Sequence, residues 1–314
     1  MLGRTASNLF WMARYMERAE NVARLTEVGH RVSLTPEAGA GYREDWHGTL
    51  VAAGCRGAAD ERTPGLTAEA AQRFLLFDRS NPSSVASCLA MARHNGRAER
   101  TALTREVWEA LNAAWIEFGK FRAAALGQGK LPELLDWVRE RSALFRGAVQ
   151  GTLLRDAGYH FIELGTFVER SDNTARILDS KYHALLPTTE AAGGDRGMYQ
   201  WETVLRSVSA HRSYRHVFKD RYRPGNVAEF MILRPEMPRS LRFCCDRIER
   251  SLSELTAVTD GGTASLALGR EIGARLRRAD IADIYRQGLH EFLQDFLRHS
   301  AAIGGTVATD YHFI

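Results

Sequence analysis

Residues 158–186 read GYHFIELGTFVERSDNTARILDSKYHALL, and the spacing within this stretch decides the fold. Phe161, Leu164, Val168, Ala175 and Leu178 recur every three or four residues, which places them on one face of an α-helix. A polar stripe runs beside them: Glu169, Asp172, Asn173 and Arg176 stand at i, i+3, i+4 and i+7 and share another face. The helical period returns in the C-terminal third at Ile272, Leu276, Ile281, Ile284, Leu289, Phe292 and Phe296, while two-residue alternation is scarce along the chain. The eight prolines (36, 64, 82, 132, 187, 224, 235 and 238) fall between periodic segments, where a residue without N–H ends a helix. Glycine-rich patches at 39–41, 193–197 and 260–262 read as loops. The expected fold is all-α.

The polar stripe occurs twice. Glu17-Arg18-Ala19-Glu20-Asn21-Val22-Ala23-Arg24-Leu25 aligns with Glu169-Arg170-Ser171-Asp172-Asn173-Thr174-Ala175-Arg176-Ile177. Two further blocks follow in the same order. Trp46 and Leu50 match Trp201 and Leu205, and Phe74–Phe77 with Pro82-x-Ser84-Val85-x-x-Cys88 matches Phe230–Leu233 with Pro238-x-Ser240-Leu241-x-x-Cys244. Three ordered blocks suggest duplication of a unit. The expectation is a helical bundle of two repeat units, 1–152 and 153–314, packed as one globular body with pseudo-two-fold symmetry.

Composition narrows the class. Of 314 residues, 45% are hydrophobic and 25% charged, which excludes collagen-like, low-complexity and membrane-spanning chains. Lys+Arg 42 against Asp+Glu 38 leaves +4, too little to make nucleic acid the default partner. Only four lysines occur (120, 130, 181 and 219), so 42 − 4 = 38 of the cations are arginine, the residue suited to bidentate and partly buried ion pairs. Cys55, Cys88, Cys244 and Cys245 form no CxxC pair, and the adjacent two read as buried thiols in a reducing compartment. Met1-Leu2-Gly3-Arg4 lacks the signal-peptide pattern, and no apolar run approaches the roughly 20 residues that cross a bilayer. A soluble, cytoplasmic protein is expected, without membrane or nucleic-acid partners.

Function is sought first in the duplicated stripes: Glu17, Arg18, Glu20, Asn21 and Arg24, and Glu169, Arg170, Asp172, Asn173 and Arg176. They can be a solvated face knit by i,i+3 and i,i+4 ion pairs, a buried network locking two helices, or a clamp for a carboxylate or phosphate formed by Arg24, Arg176 and Lys181. A carboxylate-lined metal site would draw on Glu17, Glu20, Glu169 and Asp172, but the Glu-x-x-His pair of di-iron bundles is missing from both helices, so no metal is expected. Arg93, Asn95 and Arg97 form a second set that can line a cleft or a solvated face. Arg212, Arg215, Lys219, Arg221 and Arg223 interleave with Tyr214, Phe218 and Tyr222, a superficial likeness to a nucleic-acid patch. His160-x-x-Glu163 is a lone pair at ligand spacing. No GxSxG, GxxxxGK[ST] or GxGxxG occurs, so neither a nucleotide site nor a cofactor is expected.

Several segments together resemble the bacterial Alpha-E family, helical proteins named for a characteristic Glu-Arg motif. They are Leu2-x-Arg4-x-Ala6-x-Asn8-Leu9-x-Trp11-x-x-Arg14-Tyr15-x-Glu17-Arg18-Ala19-Glu20-Asn21, Asn81-Pro82-x-Ser84, Ala92-Arg93-x-Asn95-x-Arg97 and Trp108-Glu109-x-Leu111-Asn112. The second half adds Glu169-Arg170-x-Asp172-Asn173-x-x-Arg176-x-x-Asp179-x-Lys181-Tyr182 and Pro238-Arg239-Ser240-Leu241. The resemblance implies a gene neighbourhood with a circularly permuted ATP-grasp protein and a transglutaminase-like protein, and hence service in peptide synthesis or modification. It leaves the family's own activity undefined. Two readings follow. The first is an accessory or substrate-binding subunit that docks the ligase or its peptide substrate through the Glu-Arg helices. The second is an enzyme acting on the amide or ester bonds made by that system, with Glu17 or Glu169 as general base.

Overall fold

The computed structural model describes residues 3–33, 42–55, 57, 67–121, 123, 126, 129–180, 202, 204–219, 222–259 and 261–313. Every regular element among them is helical. They are α1 (Gly3–Ser33), α2 (Tyr42–Ala52), α3 (Ala68–Leu76), α4 (Val85–Ala98), α5 (Arg105–Phe118), α6 (Leu131–Thr152) and α7 (Ala157–Ser180). There follow α8 (His211–Phe218), α9 (Pro224–Ile232), α10 (Leu241–Val258), α11 (Thr263–Arg278), α12 (Ile281–Gln287) and α13 (Leu289–Asp310), with a 3-10 turn at Arg100–Ala102. The glycine-rich patches 39–41 and 193–197, with Lys181, Tyr182, Trp201 and Arg221, lie outside the described residues.

Helix ends follow local chemistry. Pro132 and Pro224 sit in the first turns of α6 and α9, where a missing N–H costs nothing. The C-terminal periodicity is broken twice. Asp280 caps α12 by accepting from the Ala282 N–H, and Gly288 stands at φ +103 between α12 and α13, a conformation that favours glycine.

The repeated Pro-x-Ser block takes the same local form in both places. Ser84 is the N-cap of α4, accepting from the Ser87 N–H, and Ser240 is the N-cap of α10, accepting from the Phe243 N–H. One turn inside each helix a buried thiol, Cys88 or Cys244, points at the carbonyl of Pro82 or Pro238, 3.9 Å away in both. All four cysteines are buried free thiols.

The chain clusters into two compact units, Met1–Glu169 with His312–Ile314, and Arg170–Tyr311. In the first, α1 is the central helix, packed by α2, α3, α4 and α6. Its apolar residues surround it: Leu9, Phe10, Met12, Ala13, Met16, Ala19, Val22 and Ala23 are all buried. The first half of α7 crosses it at Gly165, where a Cβ would lie 2.2 Å from the Phe10 carbonyl oxygen. Only glycine allows this backbone approach. Phe313 closes the same corner against Phe10 and Phe161, with centroids 5.5 and 6.1 Å away. In the second unit α10 and α11 pack together, α11 packs on α13, and α9 lies against α8, α10 and α12.

Candidate functional site

The Glu-Arg stripe of α1 is buried, and the solvated face is not what forms. Glu17, Glu20 and Asn21 are at most 2% exposed. Polar residues on the buried faces of a helix packed by several neighbours must find partners inside the unit. Glu20 Oε1 accepts from Arg24 Nε at 2.9 Å and Nη2 at 2.6 Å, one turn along the same helix. Its other oxygen is taken by Arg146 of α6, whose Nη1 also lies 3.7 Å from Glu17 Oε2. Further along, Glu27 is shared by Arg31 and by Arg139 of α6.

Glu169 of α7 enters the same unit, also 2% exposed. Arg18 grips it as a fork, Nε to Oε1 at 2.6 Å and Nη2 to Oε2 at 2.9 Å, and Arg14 Nε donates to Oε2 at 2.9 Å. Both guanidiniums rest on rings of their own helix. Arg14 lies 4.6 Å from the Trp11 ring centroid, and Arg18 lies 5.8 Å from that of Tyr15. Burial opposes ionisation of Glu169, but Arg18 and then Arg14 outweigh it and hold the carboxyl below its ordinary value. Burial pushes the nearby Cys88 thiol up to about 12 despite Arg18, so it is not a thiolate nucleophile.

The rest of the second stripe, from Arg170 on, belongs to the other unit. Arg176 pairs with Asp172, 2.7 Å from Nε to Oδ2, and at 38% side-chain exposure it is more open than Arg14, Arg18 or Arg24. Arg170 is buried and its Nη1 donates to the Pro238 carbonyl at 3.4 Å. The Thr174 hydroxyl donates to the Arg239 carbonyl at 2.9 Å, which ties α7 to the second Pro-x-Ser turn. Asp179 faces α13, with Oδ1 2.5 Å from His290 Nδ1 and Oδ2 accepting from Gln294 at 2.7 Å. The Asn173 side chain is buried, and its amide nitrogen has no hydrogen-bond partner among the described residues.

The other sequence candidates sit apart from the stripes. Arg93 donates to Asn112 at 2.8 Å, Asn95 is buried, and Arg97 is exposed. Glu163 is buried and accepts from Gln150 at 2.7 Å. Among the described residues no group of three or more His, Cys, Asp or Glu side chains is placed to hold a metal. Nor is any helix among them long and apolar enough to cross a membrane.

Two features escaped sequence reading. Arg146 and Arg139 stand 126 and 112 residues from Glu20 and Glu27, and no local pattern announces that pairing. A cleft of about 430 Å³ in the first unit is lined by Phe77, Phe121, Trp137, Leu126 and Leu134, with Lys120, Lys130, Glu117 and Glu133 among its polar residues. Its aromatic residues come from segments far apart in sequence.

The sequence model of the Alpha-E family, described as a predicted alpha-helical domain with a conserved ER motif, matches residues 1–312. The Glu-Arg dipeptides of the two stripes, Glu17-Arg18 and Glu169-Arg170, lie within that match. Among curated proteins, one of Mycobacterium bovis and one of Mycobacterium tuberculosis strain H37Rv, each named only as uncharacterized, are 23% identical over 313 residues. The alignments cover 94% of this chain and 35% of each relative, so the chain spans about a third of their length. No solved structure matches the chain.

Proposed function

Because the chain belongs to the Alpha-E family, we propose that it is an accessory or substrate-binding subunit of an ATP-grasp-linked peptide synthesis or modification system. Its partners in this reading are the circularly permuted ATP-grasp protein, the transglutaminase-like protein, and a peptide that they act on. The saturation of Glu169 carries the reading. Three guanidinium N–H groups converge on a buried carboxylate held ionised, an arrangement that suits a counter-ion fixing two helices and deprives the group of basicity. A general base needs a free lone pair within reach of a substrate proton. Glu20 is likewise engaged by two guanidiniums, those of Arg24 and Arg146. The Glu-Arg helices therefore serve as a rigid frame, and contact with partners falls to side chains on its outer edge. Arg176 is the most exposed stripe arginine among those compared above.

Co-elution on size exclusion tests the proposal. Wild-type protein mixed with the ATP-grasp protein encoded beside it is expected to share a peak, and Arg176→Ala is expected to weaken that peak with its circular dichroism unchanged. Absence of a shared peak for the wild type overturns the accessory reading. An unweakened peak for the variant removes Arg176 from the contact.

A further inference from the structure

The arginine- and aromatic-rich segment 211–223 resolves into two faces. Tyr214 is fully buried, its ring centroid 5.0 Å from Phe218, 5.5 Å from Tyr222 and 5.7 Å from Phe230. Tyr214 is therefore core and unavailable for base stacking, while Phe218 and Tyr222 are half-buried against it. The outer face of α8 carries Arg212, Arg215, His216 and Lys219 at i, i+3, i+4 and i+7, all exposed. Seven residues of helix span about 10 Å.

Among the described residues, this stripe lacks the compensation found on other helices. Arg206 pairs with Glu202, Arg242 with Asp246, Arg277 with Asp246 and Glu249, and Arg298 with Asp295. Among the described residues, no ion pair joins Arg212, Arg215, His216 or Lys219 to a carboxylate. Glu202, which reaches His211 at 3.6 Å, is already held by Arg206. Like charges at i,i+3 and i,i+4 oppose helix formation, and so does a cation near the N-terminus. The helix has neither an acidic first turn nor a side-chain N-cap, and it ends on Lys219 in the left-handed region at φ 52. Arg215 and His216 lie in the last turn, where the helix dipole favours basic residues, so the unfavourable features are the cation and missing cap at the first turn and the left-handed end. Such local departures are expected where function demands them.

We propose that the outer face of α8 is a docking surface for an acidic segment of a partner polypeptide. Three cations, Arg212, Arg215 and Lys219, with His216 among them, form a row about 10 Å long that matches a run of Asp and Glu side chains, and guanidiniums take carboxylates in bidentate pairs. A polypeptide is favoured over nucleic acid because Tyr214 is buried, Phe218 and Tyr222 pack against it half-buried, and the chain as a whole carries only +4. The proposal rests on the accessory-subunit reading for the partner's identity, but not for the chemistry of the surface.

The test uses the full chain, a fluorescent octaglutamate peptide read by anisotropy, and the neighbouring ATP-grasp protein read by size exclusion. The stripe variant Arg212→Gln/Arg215→Gln/Lys219→Gln is compared with Arg105→Gln/Arg286→Gln/Arg298→Gln, which removes the same charge from other exposed sites. The stripe variant is expected to bind octaglutamate at least tenfold more weakly than wild type, and the control variant within twofold. Raising salt from about 0.05 to 0.3 M should abolish the difference. Equal losses in the two variants, no wild-type binding, or tighter binding of a thymidine octanucleotide than of octaglutamate would each overturn the proposal. So would a stripe variant that still co-elutes fully with an ATP-grasp partner that the wild type binds. If the wild type binds octaglutamate through the stripe but never the ATP-grasp protein, the accessory reading fails while the surface stands.

Discussion

Replacing Glu169 by Gln removes one charge from a site that is 2% exposed and leaves two guanidiniums facing an amide. Removing one partner of a buried ion pair costs about 3–5 kcal/mol, much of it from the uncompensated charge left behind. Here the arginines keep 16% and 21% of their side-chain exposure and recover some hydration, which sets the expectation near the lower end, about 3 kcal/mol. At roughly 1.5 °C per kcal/mol for a chain of this length, the melting temperature should fall by about 4–5 °C. Urea denaturation followed by circular dichroism measures the loss, and a double-mutant cycle with Arg18→Ala isolates the pair. The difference should also depend on pH. The folded pKa of Glu169 lies below its ordinary value, so its contribution is complete above the unfolded-chain pKa of about 4.3 and is lost as pH falls through the folded value. Wild type and Glu169→Gln should therefore draw together in stability as pH falls below the unfolded-chain pKa and converge once it is below the folded value. A loss under about 1 kcal/mol at neutral pH, or a gap that persists unchanged in acid, would refute the counter-ion role.

Two other substitutions probe the frame. Gly165→Ala places a methyl 2.2 Å from the Phe10 carbonyl oxygen, backbone that cannot rotate away, so α1 and α7 must separate. A cost of about 3 kcal/mol is expected, and a variant as stable as wild type in thermal melts would show that this crossing is looser than described. Ser84→Ala and Ser240→Ala each delete an N-cap of the same geometry and should each cost about 1 kcal/mol. Equal urea midpoints for the two variants are the expected result, and a several-fold disparity in cost would show that the two turns are not energetically equivalent.

The sequence was most legible where chemistry is local. Three- and four-residue spacing foretold the helices, prolines marked ends, and adjacent thiols in an apolar run announced burial at Cys244 and Cys245. The i,i+4 pairs Glu20–Arg24 and Asp172–Arg176 could be read directly, because a helix fixes which side chains meet. The resemblance to Alpha-E rested on such local runs as well, and the match over residues 1–312 extends it to nearly the whole chain.

Burial of the stripe was harder to read, although a signal existed. The apolar residues of 3–25 encircle the helix and do not keep to one side, which marks a helix surrounded by others. Beyond that, the tertiary structure alone decided the outcome. It brought Arg146 to Glu20 across 126 residues, set Arg18 on Glu169 across 151, and turned Tyr214 of α8 inward and the cations of that helix outward. One-dimensional periodicity states which residues share a face of a helix. What covers that face depends on contacts between distant segments, and those contacts determine whether a carboxylate meets water, a substrate or a guanidinium.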